Sequence, residues 1–285
     1  MEYEIKNYGY IPDVIEEDQY IFGSSAIPDE ILQPTGQWGD FLPKDEFQSN
    51  SNFDTNGCTE YGNLNSIETL MKRKFQGDYN YSERYLAVLA ENAREGNSPH
   101  KVLETIRNVS GLISDFLLPF NNSINTWEQW ASPKPMTEAY ISEGKKFNDN
   151  YVFLHEWVFT DNNSNKIELI KEALKRSPLG ISVYAWVYDN EKQAYIKPKG
   201  SKDNHWICLY GYEEGKYWLI FDQYDSTHKK LVWDFDFTCA KKYYIAKKMT
   251  NQEIQEKISL IRVALNKLAD LISKLFPKLG RKIHS

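Results

Sequence analysis

Asn56-Gly57-Cys58-Thr59-Glu60-Tyr61-Gly62-Asn63-Leu64-Asn65-Ser66-Ile67 places a cysteine at the head of an apolar stripe. Tyr61, Leu64, Ile67, Met71 and Phe75 follow one another at three- and four-residue steps, the spacing of one helix face, so a helix begins near Cys58. The positive end of such a helix favours the thiolate, the form of cysteine that attacks a carbonyl. A nucleophile of this kind needs a base. Asn204-His205-Trp206-Ile207-Cys208-Leu209 offers one, a histidine opening an apolar, strand-like run. The next such run, Tyr217-Trp218-Leu219-Ile220-Phe221, ends at Asp222. Antiparallel pairing of the two runs through the turn at 213–215 brings Asp222, 17 residues after His205, back beside the imidazole. There a carboxylate orients the ring and favours its charged form.

The remaining sequence supports helices first and strands second. Ser82 before Glu83-Arg84-Tyr85-Leu86, and Ser98-Pro99 before Val102, Ile106 and Val109, read as helix starts with capping hydroxyls. The segment from Pro119 to Lys146 is rich in Asn, Ser, Trp and Pro and reads as a long surface connection. A short amphipathic helix is expected over 167–176. Runs at 180–188, 205–212 and 217–221, with a fourth at 243–246, are rich in β-branched and aromatic residues and predict antiparallel strands. The order indicates an α+β fold. Residues 1–47 carry Pro12, Pro28, Pro34 and Pro43 without sustained periodicity and read as an extended arm lying on a main domain, 48–248.

Residues 249–285 form a third section. Ile254, Ile258, Ile261, Leu265, Leu268, Ile272 and Leu275 alternate steps of four and three, a heptad repeat in an amphipathic helix. Seven Lys or Arg stand against three acidic residues between 250 and 285, in a chain whose net charge is −6. Self-association or partner binding through 254–275, a membrane surface, and docking on the chain's own domain are all compatible with that pattern.

Composition narrows the function. A pI near 5.5 disfavours a nucleic-acid partner, which needs a concentrated basic surface. The three cysteines, Cys58, Cys208 and Cys239, are odd in number and widely spread, unlike a disulfide framework or a CxxC metal site, which suits a reducing compartment. No signal-like start and no apolar run of transmembrane length appears, so a cytoplasmic or virion-associated protein is expected. Asp234-Phe235-Asp236 and Asp225 lack a glycine-bearing calcium loop, and no metal or cofactor is expected.

This layout resembles the papain-like cysteine protease family: a nucleophile at the head of a long helix, a histidine opening a strand 147 residues later, and an Asp or Asn after the next strand. Asn204-His205 with Gly211-Tyr212 is similar to the family's histidine strand, Gly180 to Val183 to the strand before it, and Ser82-Glu83 to the start of its second helix. The likeness spans about Gln48 to Ala246, and its general style is similar to papain-like proteins of bacteriophage type. It implies a helical subdomain, an antiparallel β subdomain and a cleft between them. It implies a Cys58-His205-Asp222 triad acting on a peptide or protein substrate. It also implies an oxyanion-hole amide, for which Gln48 has the right chemistry and Asn52 the more usual spacing, with Gln48 preferred. Asn56-Gly57-Cys58-Thr59-Glu60 departs from the family's Cys-Gly-Ser-Cys-Trp neighbourhood, and Asp222-Gln223-Tyr224-Asp225 stands where Asn-Ser-Trp-Gly is usual. Glu60 raises the thiol pKa if it points inward. Two functions follow as expectations: a cysteine peptidase or amide hydrolase, and a papain-fold structural or interaction protein of a viral particle or other assembly. A lone cysteine is by itself a small buried hydrophobe. Cys208, inside an apolar strand, and Cys239 are read that way, and His155 as a hydrogen-bonded core residue.

Overall fold

The computed structural model describes residues 6–13, 21–23, 27–131, 138–159, 165–225 and 227–275. The chain start and three of the basic residues of the C-terminal section, Lys278, Arg281 and Lys282, lie outside them. The backbone divides into one unit, Met1–Ala246, which takes in the N-terminal arm, and a second, Lys247–Ser285.

In the first unit, helix α1 (Cys58–Phe75) begins at the cysteine, and its residues Cys58 to Met71 are buried. Leu64, Ile67 and Met71 join the main core. A helix without a solvent face must satisfy its polar side chains internally. Asn63 Oδ1 accepts from Trp206 Nε1 at 2.9 Å and from the Tyr243 hydroxyl at 2.7 Å, while the Ser66 and Thr69 hydroxyls donate to the carbonyls of Gly62 and Asn65. Gly62 lets this helix approach the sheet, because a Cβ there would meet the Trp206 carbonyl oxygen at 2.8 Å. Helices α2 (Glu83–Leu89) and α3 (Pro99–Thr105) start at the expected caps: the Ser82 and Ser98 hydroxyls accept from the Tyr85 and Lys101 amides.

The stretch after Pro119 differs from the sequence expectation. It holds α4 (Trp127–Ala131) and α5 (Glu138–Asn150), followed at once by strand β1 (Tyr151–Phe159). Helix α5 buries little beyond Gly144 and Phe147, so its charged residues mask the periodicity and tertiary packing decides the helix.

Helix α6 (Lys166–Leu174) leads into β2 (Leu179–Val183), β3 (Val187–Asp189), β4 (Ala194–Ile196), β5 (His205–Glu213), β6 (Tyr217–Phe221), β7 (His228–Val232) and β8 (Ala240–Lys247). The sheet order is β1-β8-β2-β5-β6-β7-β4-β3. The single strand expected over 180–188 breaks after Val183, and its second half, β3, pairs with β4 at the edge. Strand β7 escapes a hydrophobicity reading because His228-Lys229-Lys230 fills most of it. Its burial nevertheless alternates, with Lys229 and Leu231 inside and His228 and Lys230 outside. Strands β5 and β6 pair antiparallel, Cys208 opposite Phe221, which returns the chain past Phe221 towards His205.

In the second unit, α7 (Asn251–Leu275) opens on a reciprocal cap: the Thr250 amide donates to the Glu253 carboxylate at 2.7 Å, and the Thr250 hydroxyl accepts from the Glu253 amide at 3.2 Å. Its heptad residues from Ile254 to Leu275 are exposed, as are Leu260, Val263 and Leu271, giving an apolar surface wider than a coiled-coil seam. Among the described residues, no helix is long and apolar enough to cross a membrane.

Candidate active site

Three elements converge on one buried cluster: the head of α1, the start of β5 and the turn after β6. His205 Nε2 lies 2.7 Å from Asp222 Oδ1, and both side chains are fully buried. This leaves Nδ1 of the same ring buried without a hydrogen-bond partner among the described residues. Cys58 sits against the next residue of the strand, its sulfur facing the Trp206 backbone N–H. Asp222 stays below the ordinary carboxylate range. Burial pushes it up, and the charges and hydrogen bonds of His205 and Lys229 more than offset that. Cys58 behaves in the opposite way. The helix head and the Trp206 N–H favour its thiolate, yet burial pushes the thiol well above its usual value, with Glu60, Asp54 and Asp222 adding to the rise. Glu60 does point inward, as its sequence position allowed, but burial lifts its own pKa to about 7, so much of its charge is absent at neutral pH.

The two candidates for the oxyanion amide separate cleanly. Gln48 is fully buried, and its Nε2 donates to the Tyr8 carbonyl at 3.2 Å and to Asp54 Oδ1 at 3.1 Å. Asn52 is exposed and spends its amide on Asn125, so it lies outside the cluster. Gln223, which the sequence reading passed over, joins the pieces. Its Nε2 donates to the Trp206 carbonyl at 2.8 Å and the Cys58 carbonyl at 3.2 Å, and its backbone carbonyl accepts from the Gln48 backbone N–H at 2.9 Å. The one signal for it is position, directly after Asp222. Lys229 was missed as well. Its ammonium lies 2.6 Å from Asp222 Oδ2 and also meets Asp225.

The cleft is filled by the chain's own arm. The Tyr8 amide donates to the Asn204 carbonyl, Asn204 Nδ2 donates to the Lys6 carbonyl, and on the helical side Asn97 donates to the Gly9 carbonyl and accepts from the Ile11 amide. The Tyr8 ring packs 5.1 Å from the His205 ring, and Tyr10 stacks on Trp206 and reaches Cys239 Sγ with its hydroxyl. Gly9 is held at φ +105°, where a Cβ would stand 1.9 Å from the Asn56 carbonyl oxygen. Glycine alone fits there, and Gly9→Ala is the smallest change that displaces the arm.

The other sulfur and imidazole groups lie elsewhere. Burial pushes the thiols of Cys208 and Cys239 up to about 12. His155 Nε2 lies 2.8 Å from Glu104 Oε1, and burial drives its pKa down to about 3, so it is a neutral core imidazole. His100, Glu104 and His155 are the residues whose ligand atoms gather closely enough for a metal ion among those described. The Lys241 amine already lies 2.8 Å from His100 Nδ1 and 3.3 Å from His155 Nδ1 and occupies that cluster, and burial lowers its own pKa to about 7.

A helical first half, a sheet that is antiparallel except for the parallel β4–β7 pair, and a cleft between them make up the papain-like cysteine protease fold. Digestive procathepsin L 3 of Tenebrio molitor larval midgut matches at a TM-score of 0.54 and 12% identity, covering 83% of this chain and 76% of that one. The ragweed Amb a 11 cysteine protease in its proform matches at 0.53 and 13%, over 81% and 69%. Bromelain from Ananas comosus, in complex with the E64 inhibitor, matches at 0.50 and 14%, over 73% and 96%. No family model matches the chain, and a search of curated proteins finds no match. At these identities the likeness establishes the fold.

Proposed function

We propose that this chain is a latent cysteine peptidase or amide hydrolase whose cleft is closed by its own residues 6–11. The observation that carries this is the Gln48 amide donating to a peptide carbonyl, that of Tyr8, in the same cleft as the His205–Asp222 pair. In the open state His205 takes the Cys58 proton at Nδ1 while Asp222 holds Nε2. The thiolate attacks a substrate carbonyl, and the Gln48 side-chain amide with the Cys58 backbone N–H receives the oxyanion. The adduct collapses with cleavage of the C–N bond, the departing amine taking the proton from His205, and water, deprotonated in turn by His205, attacks the thioester to release the acid and return the thiol. Proforms among the matching structures fit a covered cleft. The test is hydrolysis of a pooled library of fluorogenic peptide amides by the Gly9→Ala protein. Adding Cys58→Ala or His205→Ala is expected to lower the rate by about 1,000-fold or more. A rate unchanged by either substitution excludes the pair.

A second reading, a papain-fold interaction protein of a viral particle or other assembly, is favoured by the exposed apolar surface of α7. In this reading α7 associates with a second copy of itself through the Ile254 to Leu275 repeat. Truncation at Thr250 is expected to reduce the solution mass to that of one chain and leave the first unit's melting transition in place. An unchanged mass sinks self-association.

A further inference from the structure

Lys229 occupies an inward position of β7, where an ammonium is costly unless it is paired. Its partner is the carboxylate that also holds His205. Asp222 Oδ1 faces the imidazole at 2.7 Å and Oδ2 faces the ammonium at 2.6 Å, with all three side chains buried to within 1%. Lys229 also lies over the faces of Trp186 and Tyr195, at 5.2 and 6.0 Å from the ring centroids. Tyr8, Tyr224 and Trp186 pack against the histidine ring.

Resting on the hydrolase reading above, we infer that Lys229 is a positioning residue that cancels the charge of Asp222, so that His205 meets a neutral acceptor equivalent to an amide oxygen. A bare carboxylate at this depth holds an imidazolium tightly, keeping a proton that the ring has to pass on during turnover. Lys229 removes that excess hold and keeps the strong, oriented hydrogen bond. The other charged or titratable groups around the pair are Lys6 and Tyr8 on the arm, Asp54 before α1, Cys58 and Glu60 on α1, Tyr195 on β4, and Tyr224 and Asp225 in the turn. Asp225 shares the same ammonium, but from an exposed position where solvent screens its charge, so the cancellation acts at the buried Asp222.

The test reads His205 directly, by NMR titration of histidine-labelled full-length protein, with the signal assigned by its loss in His205→Ala. Lys229→Met is expected to raise the His205 midpoint by about one pH unit or more, Asp222→Asn to lower it by a similar amount, and Asp222→Asn/Lys229→Met to return it to within about half a unit of wild type. If Lys229→Met does not fold, the return from Asp222→Asn to the double variant decides the matter. A midpoint indifferent to Lys229, or a double variant displaced further than either single one, overturns charge cancellation. This readout is independent of turnover. Failure of the hydrolase reading shows instead as Cys58 alkylation that ignores His205→Ala in the Gly9→Ala background, whichever way the midpoint moves.

Discussion

Gly9→Ala is expected to speed iodoacetamide labelling of Cys58 at pH 7 by about 100-fold or more, because each 1.4 kcal/mol removed from the closed arrangement multiplies the open population tenfold. A Cβ at residue 9 would stand 1.9 Å from the Asn56 carbonyl oxygen, a backbone atom that cannot swing aside. The arm therefore has to lift, and with it goes Tyr10, which shares the apolar cluster of Cys58 and Trp206. Burial is the largest cause of the raised Cys58 thiol, so its removal brings the pKa down. Wild type is expected to label slowly, with a rate that climbs only at alkaline pH. In Gly9→Ala the profile moves to lower pH, and His205→Ala in that background moves it back. Deletion of residues 2–11 reaches the same end without straining the Asn56 loop, and separates release of the arm from local damage. Labelling that stays slow in both variants, with the melting transition intact, shows that the arm does not guard the thiol.

The cysteine, the histidine and the aspartate were legible because each is tied to local order. Cys58 heads a periodic stripe, His205 opens a β-branched and aromatic run, and the turn at 213–215 sets the return to Asp222. The helix caps at Ser82 and Ser98 were legible for the same reason. Gln48 stands out by its chemistry and the family likeness, and the fold buries it while leaving Asn52 exposed. What stayed hidden depends on contacts distant in sequence. Gln223 bonds Cys58, 165 residues away. Lys229 reads as one more surface lysine until β7 is known to alternate. Helix α5 has almost no apolar face, and strand β1 follows it without a turn signal. The prolines of the arm indicate an extended segment lying on the domain, but its seat against Gln48 rests on one backbone carbonyl, and no side-chain pattern encodes that.

Folding stability is expected to fall as the pH rises from 5 to 7, the reverse of the common acid-sensitive pattern. The cause is a set of buried carboxyls in the helical half. Burial raises Glu68 and Glu83 well above the ordinary range, Glu46 is raised and hydrogen-bonds Glu83, and Asp115 is lifted to about 6. Glu60, two residues after Cys58, is lifted to about 7. A carboxyl with a raised folded pKa contributes its full share of stability below the unfolded value, and loses it as the pH climbs through the folded value. For Glu60 alone, ionisation in the fold costs about 3 kcal/mol by pH 7, and Glu68 and Glu83 act in the same direction. Two bases oppose the trend. His155, depressed to about 3, regains stability as the pH rises towards 6.5, and Lys241, depressed to about 7, does so only above that. Between pH 5 and 7 one imidazole therefore works against several carboxyls, and the melting temperature is expected to drop by at least about 5 °C. Glu68→Gln keeps the carbonyl oxygen that accepts from the Tyr81 amide at 2.7 Å and removes the charge, so it should flatten the slope and raise the melting temperature at pH 7. A melting temperature that rises between pH 5 and 7, or a Glu68→Gln slope equal to that of wild type, would mean that these carboxyls reach water in solution and do not control the fold.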